Sequence, residues 1–377
     1  MKKSKITSEN LSFVVSPFSI IQKSDKFIYD VTGDWIRCSR SSGDSVSVSR
    51  FHNDGDRYHV LLALIDLSQT YEELKSGVAK HGVSSEAVLI AIAGLIAAEL
   101  VVITSSIEDE LLEPVVGERY KWLLENFSYM ERPGLSKVGM LKNLLVSKVC
   151  IVGVGGLGSI VAQLLVASGI LDITLIDGDT VELSNLPRQL FYTSADVGLL
   201  KVDVMKRVLS AHQPSSRITA ISKYIQDQQA AIQLTKSFDL IILCADEPRL
   251  FIHTWIGEAS IENRVPYLAM GANWVGPISV PYLSPCYICQ ARYHRAKISD
   301  YDSFIRATLT TPVPPRAAFG PGPVLVGAMM STMVVEFLAG INSTTHTLTR
   351  YQYNIWKNAT SETLVRYTNC SRCKEIL

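Results

Sequence analysis

The chain has 377 residues, 47% of them hydrophobic, with 36 basic side chains against 36 acidic ones and seven cysteines. That length allows two or three domains with sizeable cores, and a balanced charge gives no general field for nucleic acid or an anionic membrane surface. Positive residues open "MKKSKITSENLSF" but no apolar stretch comes after them, so no signal peptide is read; the expected setting is the cytoplasm, with neither nucleic acid nor membrane as partner.

In chain order, "KFIYDV", "WIRCS" and "SVSVS" read as three short antiparallel strands separated by "GD" and "SSGD" turns. The period then changes. "YHVLLALIDLS" suits one helix, and "TYEELKSGVAKHG" suits a second, with Thr70 and Glu73 in capping-box spacing and Gly82 at its end. A third helix is expected from Ser84 and Ser85 through Leu100. Residues 1–112 therefore form a small α+β unit of three strands and three helices. Residues 113–145 read as a connecting region broken by Pro114, Pro133 and Gly134. From 146 to 377 strands and helices alternate, the pattern of a doubly wound α/β sheet. The most apolar stretches, "VLIAIAGLIAAELVVI" with Glu99 and "GPVLVGAMMSTMVVEFLAG" with Glu336, read as buried helices.

The segment "KVCIVGVGGLGSIVAQLLVASGILDITLIDGD" carries the first chemical signal. Gly153, Gly155 and Gly158 match G-x-G-x-x-G, with Gly156 an extra glycine, between a strand and a helix. Such glycines let backbone N–H groups and the positive end of a helix approach phosphate. Asp177 ends the next strand, where a carboxylate can accept from ribose hydroxyls. These features alone suit an NAD-dependent oxidoreductase equally well. The adjoining stretch, "DGDTVELSNLPRQLFYTSADVGLLKVDVMKR", sets Asn185, Arg188, Gln189 and Lys201 beyond Asp177 and Asp179, a set of donors that a triphosphate needs and a nicotinamide does not. Asp246 closes the apolar strand of "FDLIILCADEPR" and can hold Mg²⁺ against phosphate oxygens.

Two C-x-x-C pairs, Cys286 with Cys289 and Cys370 with Cys373, suit one closed tetrahedral Zn²⁺ site that clips the C-terminal tail to the domain. Two separate redox motifs are the competing account, though neither stands before a helix in a thioredoxin-like unit. Cys150 and Cys244 lie in apolar strands as inert core thiols, and Cys38 belongs to the N-terminal strands.

From Arg119 to the C-terminus these motifs together resemble the E1-like adenylating enzymes of the ThiF, MoeB and MccB type. The resemblance implies ATP as the nucleotide, Asp177 at the ribose, and Arg188 and Lys201 stabilising the α-phosphate and leaving pyrophosphate. It further implies Asn185 and Gln189 positioning the triphosphate, Asp246 holding Mg²⁺, the shared structural zinc, and a homodimer. Where the family often carries R-Y-x-R, this chain reads "ERYKW", with Trp122 at the second arginine and Arg119 or Lys121 as weaker substitutes. No cysteine stands between Gln290 and Gly320, the segment that resembles the crossover loop of ubiquitin-type enzymes, so an acyl-adenylate without an enzyme thioester is expected. His253 and His294 are read as structural.

Residues 1–112 resemble the PqqD-like, winged-helix peptide-recognition domains of ribosomal peptide biosynthesis. Together the two resemblances imply ATP- and Mg²⁺-dependent adenylation of a carboxylate in a ribosomally made precursor peptide with a leader, with glutamate side chains as the candidate target. A sulfur-carrier protein adenylyltransferase is the alternative within the chemistry. An oxidoreductase and a silent scaffold are the alternatives outside it.

Overall fold

The computed structural model describes residues 19–23, 28–32, 35–42, 45–52, 69–97, 101–105, 114–132, 135–271, 274–297, 299–310, 320–341, 347–352, 360–367 and 369–373. It divides into two compact units, Met1–Val138 and Gly139–Leu377.

In the first unit β2 (Ile28–Thr32), β3 (Trp35–Ser42) and β4 (Ser45–His52) pair antiparallel in that order, with Cys38 opposite Tyr29 and Ser49. A second sheet, for which the sequence carries no turn signal, sets β1 (Ser19–Lys23) between β5 (Gln69–Thr70) and β6 (Val101–Ser105). Helix α1 (Tyr71–Ala79) starts at the expected capping box: Glu73 N donates to Thr70 Oγ1 at 3.2 Å and Thr70 N to Glu73 Oε2 at 2.8 Å. Helix α2 is described over Ser85–Ala97, and the β-branched run "VVITS" forms β6. The helix read over 58–68 lies outside the described residues. Three helices occupy the region read as a connection: α3 (Pro114–Arg119) with proline in first place, α4 (Lys121–Ser128) and α5 (Lys137–Val146).

The second unit is built on one eight-stranded sheet, ordered β14-β13-β12-β11-β10-β7-β8-β9. Strands β7 (Lys148–Val152), β8 (Asp172–Ile176), β9 (Arg217–Ile221), β10 (Leu240–Leu243) and β11 (Tyr267–Gly271) are parallel. The strands β12 (Trp274–Ser279), β13 (Thr347–Gln352) and β14 (Thr360–Val365), which extend the sheet on one side to its edge at β14, pair antiparallel. Cys150, Val152, Ile176, Ile241 and Leu243 bury one face against α8 (Gln228–Leu234) and α9 (Phe251–Asn263). Alternation along the strands turns Val149, Ile151, Ile173, Leu175 and Ile242, also buried, to the opposite face. Helices α6 (Gly156–Ala167), α7 (Lys201–His212) and α12 (Pro321–Leu338) pack together with the sheet there.

Sheet order runs from β7 outward through β8 and β9 on one side and through β10 and β11 on the other. The crevice between the carboxyl ends of β7 and β10 is thus the switch point at which such sheets bind ligands. α12 departs from the expected fully buried helix. Val326, Met330 and Val334 are buried, whereas Val324 and Leu325 are 36% and 45% exposed. By length and composition alone α12 is apolar enough to cross a membrane, but Gly327 lets it close on α6, where a Cβ would meet Ile160 Cγ2 at 2.6 Å.

Candidate nucleotide site and thiol cluster

The glycine turn lies at the switch point because backbone must pass against backbone. A Cβ on Gly153, which has φ +88°, would stand 2.7 Å from the amide nitrogen of Ala245, and one on Gly158 would stand 1.8 Å from the Gly153 carbonyl oxygen. No other residue type fits either position. Gly156 is pressed the same way, its Cβ position 2.9 Å from the Arg188 carbonyl oxygen. Gly155 is different: a Cβ there would meet just one atom within 4 Å, Gln189 Nε2 at 3.6 Å.

The space in front of Gly155 is ready for an acceptor-rich ligand. Helix α6 begins there with no side-chain cap, so its first N–H groups and its positive dipole end face that space. Gln189 is buried, and its Oε1 has no hydrogen-bond partner among the described residues. An orphaned buried amide oxygen costs about 1–3 kcal/mol. A ligand hydroxyl or an ion's water shell would satisfy it.

Asp177 ties the turn to the loop after β8. Its Oδ2 accepts from Val154 N and its Oδ1 from Asp179 N, both at 2.8 Å. Burial pushes its carboxyl above the ordinary range against those two bonds. Each oxygen keeps a lone pair for a sugar hydroxyl. Tyr192, which the sequence motif does not single out, is buried and donates its hydroxyl to the Val154 carbonyl at 2.5 Å. Val154 is therefore held at both its polar atoms.

The expected phosphate-side residues are distributed unevenly. Lys201, first residue of α7, is buried, and its Nζ lies 2.8 Å from Asp179 Oδ2. Arg188 Nη1 donates to the Ser184 carbonyl at 2.9 Å, bending its guanidinium back on its own turn. Asn185 is also buried, and its Oδ1 is committed to Glu182 N at 3.2 Å. Asp246 directly follows the Ala245 that abuts Gly153; its carboxylate is exposed and makes no hydrogen bond or ion pair with the described residues. One exposed carboxylate is the kind of donor Mg²⁺ uses together with substrate oxygens. A second tyrosine absent from the motif, Tyr224, donates its hydroxyl to Asp179 Oδ1 at 2.6 Å.

The four motif cysteines meet at one place. Their sulfurs all lie within 4.8 Å of one another, with Cys286 to Cys370 and Cys289 to Cys373 each at 3.5 Å. Four thiolates about 2.3 Å from a zinc ion stand about 3.8 Å apart, so the cluster matches the tetrahedron such an ion requires. Cys286 and Cys289 belong to the start of α10 (Tyr287–Lys297), and all four thiols are buried beside Ile261, Tyr282, Tyr287 and Ile288. The Cys286 hydrogen bond holds Cys289 below the ordinary thiol range, while Cys286 keeps its own proton more tightly through the same contact. The tail is fastened once more by Arg372, whose Nε and Nη2 lie 3.1 Å from the two oxygens of buried Glu258. Of the remaining described thiols, Cys150 is buried in β7 as expected, whereas Cys244 lies one residue past β10 and is half-buried. Burial raises Cys150, and it pushes Cys244 up to about 12. His294 sits in an aromatic cluster with Trp274 and Tyr293, ring centres 6.4 and 5.7 Å away. Trp122, at the place of the family's second arginine, is 78% exposed with Lys121 Nζ 5.5 Å from its ring.

A glycine turn at the switch point, with a carboxylate closing the next strand and a buried lysine beyond it, is the arrangement of the nucleotide-binding α/β proteins. The family model for the ThiF family matches residues 127–374, and the chain belongs to that family. It is 35% identical over 150 residues to the molybdopterin-synthase adenylyltransferase of Escherichia coli, covering 39% of this chain and 59% of that enzyme. The sulfur carrier protein adenylyltransferase of Thermus thermophilus is 29% identical over 213 residues, 52% of this chain and 70% of that protein. Among solved structures, E. coli MccB with ATP superposes with a TM-score of 0.69 at 21% identity, covering 94% of this chain and 99% of that one. MccB has also been solved with N-formylated MccA. PaaA superposes with a TM-score of 0.63 at 22% identity, over 91% and 100%. The curated relatives align with part of the chain, whereas the structural likeness reaches across both units.

Proposed function

We propose that this chain uses ATP to adenylate a carboxylate of a ribosomally made precursor peptide. The observation that carries the reading is the grouping, around the carboxyl ends of the central strands, of an uncapped helix, a buried lysine, an orphaned Gln189 oxygen and an exposed Asp246. Adenylation needs little covalent help from the protein. A carboxylate oxygen attacks the α-phosphorus, the bond from that phosphorus to the β-bridging oxygen breaks, and pyrophosphate leaves with the electron pair. Lys201, Arg188 and the start of α6 offset the negative charge that builds up, which is the main rate term in such transfers. Mg²⁺ at Asp246 would supply further charge neutralisation at the phosphates. Zn²⁺ at the four thiols would be structural.

The substrate side is supported by likeness over nearly the full length to MccB, solved with MccA, and to PaaA. Glutamate side chains are the proposed target, and the first unit is the proposed leader clamp. Strands β2 and β4 are each paired on one side among the described residues, so a leader can add there as a further strand. The exposed part of α12, with Leu190 and Leu183 at 55% and 69% exposure, supplies apolar surface for the proposed homodimer. A second reading, activation of a sulfur-carrier protein, is favoured by the Escherichia and Thermus relatives.

One incubation separates the two. The protein is mixed with ATP, Mg²⁺ and either the peptide encoded beside its gene or a sulfur-carrier protein, and nucleotide and acyl partner are weighed by mass spectrometry. AMP and an altered peptide support the first reading. AMP with the carrier protein alone supports the second, and no AMP from either rejects both.

A further inference from the structure

Tyr224 stands just beyond β9 with 58% of its surface exposed, yet its position is closely fitted. A Cβ on Gly178 would lie 2.6 Å from its ring, so the residue between Asp177 and Asp179 has to be glycine for the ring to lie where it does. From there the phenol reaches Asp179 Oδ1 at 2.6 Å, while Asp179 Oδ2 holds Lys201 Nζ at 2.8 Å. The Asp179 backbone is also engaged: its N–H donates to Asp177 at 2.8 Å, and its carbonyl accepts from Lys201 N at 3.0 Å. Both carboxylate oxygens of Asp179 are thereby spoken for, one by the lysine and one by the tyrosine.

A half-exposed aspartate holding a lysine has little to fix its own rotamer. Burial raises its carboxyl, but the bonds from Lys201 and Tyr224 and the lysine charge hold it below its ordinary value. The Asp179 bond pushes the Tyr224 phenol up to about 12, so it stays protonated and donating. Lysine has four rotatable bonds and places its charge only as well as its partner is placed.

We propose that Tyr224 is a positioning residue of the nucleotide site, which acts through Asp179 to set Lys201 where the phosphates bind. This inference rests on the ATP reading above. Gly178, Asp179, Lys201 and Tyr224 form one unit, and Tyr224 itself touches no phosphate.

The test is titration calorimetry of the full chain with Mg-ATP and, separately, with adenosine. Lys201→Met is expected to weaken ATP by about 10- to 100-fold, the scale of a charge-assisted bond, and to leave adenosine unchanged. Tyr224→Phe, a conservative change at an exposed site, is expected to weaken ATP about 3- to 10-fold, again with adenosine unchanged. Gly178→Ala, which displaces the ring, should match it. In the Lys201→Met background Tyr224→Phe should add nothing. Weakened ATP in Lys201→Met with wild-type affinity in Tyr224→Phe overturns the inference and leaves the site reading standing. Equal losses in both backgrounds, or a parallel loss of adenosine, also overturn it, because the tyrosine then acts on its own. Unchanged ATP affinity in Lys201→Met overturns the site reading and the inference with it.

Discussion

Around the glycine turn, the polar groups are tied to backbone: Asp177 accepts from Val154 and Asp179, and Tyr192 donates to Val154. The four thiols are framed by loops and a helix start rather than by the sheet, with backbone bonds from Cys289 to Cys286 and from Tyr367 to Cys289. They converge from two segments 84 residues apart and have chiefly one another as partners. The sheet and the backbone bonds around it set the geometry at the glycine turn. An ion held by the four thiols would complete the cluster and become part of the fold.

The sharpest test of that contrast is metal removal. Chelation, or Cys370→Ser, should lower the thermal midpoint by about 10 °C or more, since binding energy at a structural zinc site is folding energy. ATP should not restore it. Metal analysis should find one zinc per native chain, and a chain that melts unchanged after complete metal loss would break the comparison.

Next in size is a pair of glycine substitutions in the turn itself. Gly158→Ala sets a methyl 1.8 Å from a carbonyl oxygen and should destabilise by about 4 kcal/mol or prevent folding. Gly155→Ala meets just a side-chain nitrogen at 3.6 Å, so chemical denaturation should change by less than about 1 kcal/mol while ATP affinity falls. If the two variants were alike, the division between fold glycines and ligand glycines would be wrong.

Lys201→Met and Asp246→Asn should each lower AMP formation about 100-fold or more. Asp246→Asn should leave the melting temperature unmoved, because the side chain is exposed and has no partner among the described residues. The smallest effect concerns pH. Asp179 titrates below its ordinary value near 3.8, so the stability it contributes is present above that pH and is lost as pH falls through its lower, folded value. Its side chain is 47% exposed, which limits the contribution to about 0.5 kcal/mol. Unfolding free energies at pH 5 and pH 3 should therefore converge slightly between the native chain and Asp179→Asn.

How much of this the sequence shows depends on whether the cause is local. The glycine turn is legible because its steric demand falls within one short motif, and the thiols because paired C-x-x-C spacing has few uses. Thr70 and Glu73 reveal their helix start for the same reason. Tyr224 is not legible, since it stands 45 residues from Asp179 on an exposed segment and only Gly178 hints at a ring above it. β1 is equally hidden, because its partners Thr70 and Val101–Ser105 are remote in sequence. The committed oxygen of Asn185 belongs to the same class: a donor pattern shows which groups are available and not which are already used.

In the proposed reaction a substrate carboxylate attacks the α-phosphorus of ATP. That step is tested most directly by preparing the candidate peptide with heavy oxygen in its carboxylates, incubating it with the protein, ATP and Mg²⁺, and trapping the acyl product with hydroxylamine. When hydroxylamine takes the acyl group, the bridging oxygen stays with phosphorus, so the account predicts AMP carrying one heavy oxygen and a peptide hydroxamate. Unlabelled AMP, or ADP as the nucleotide product, would contradict it.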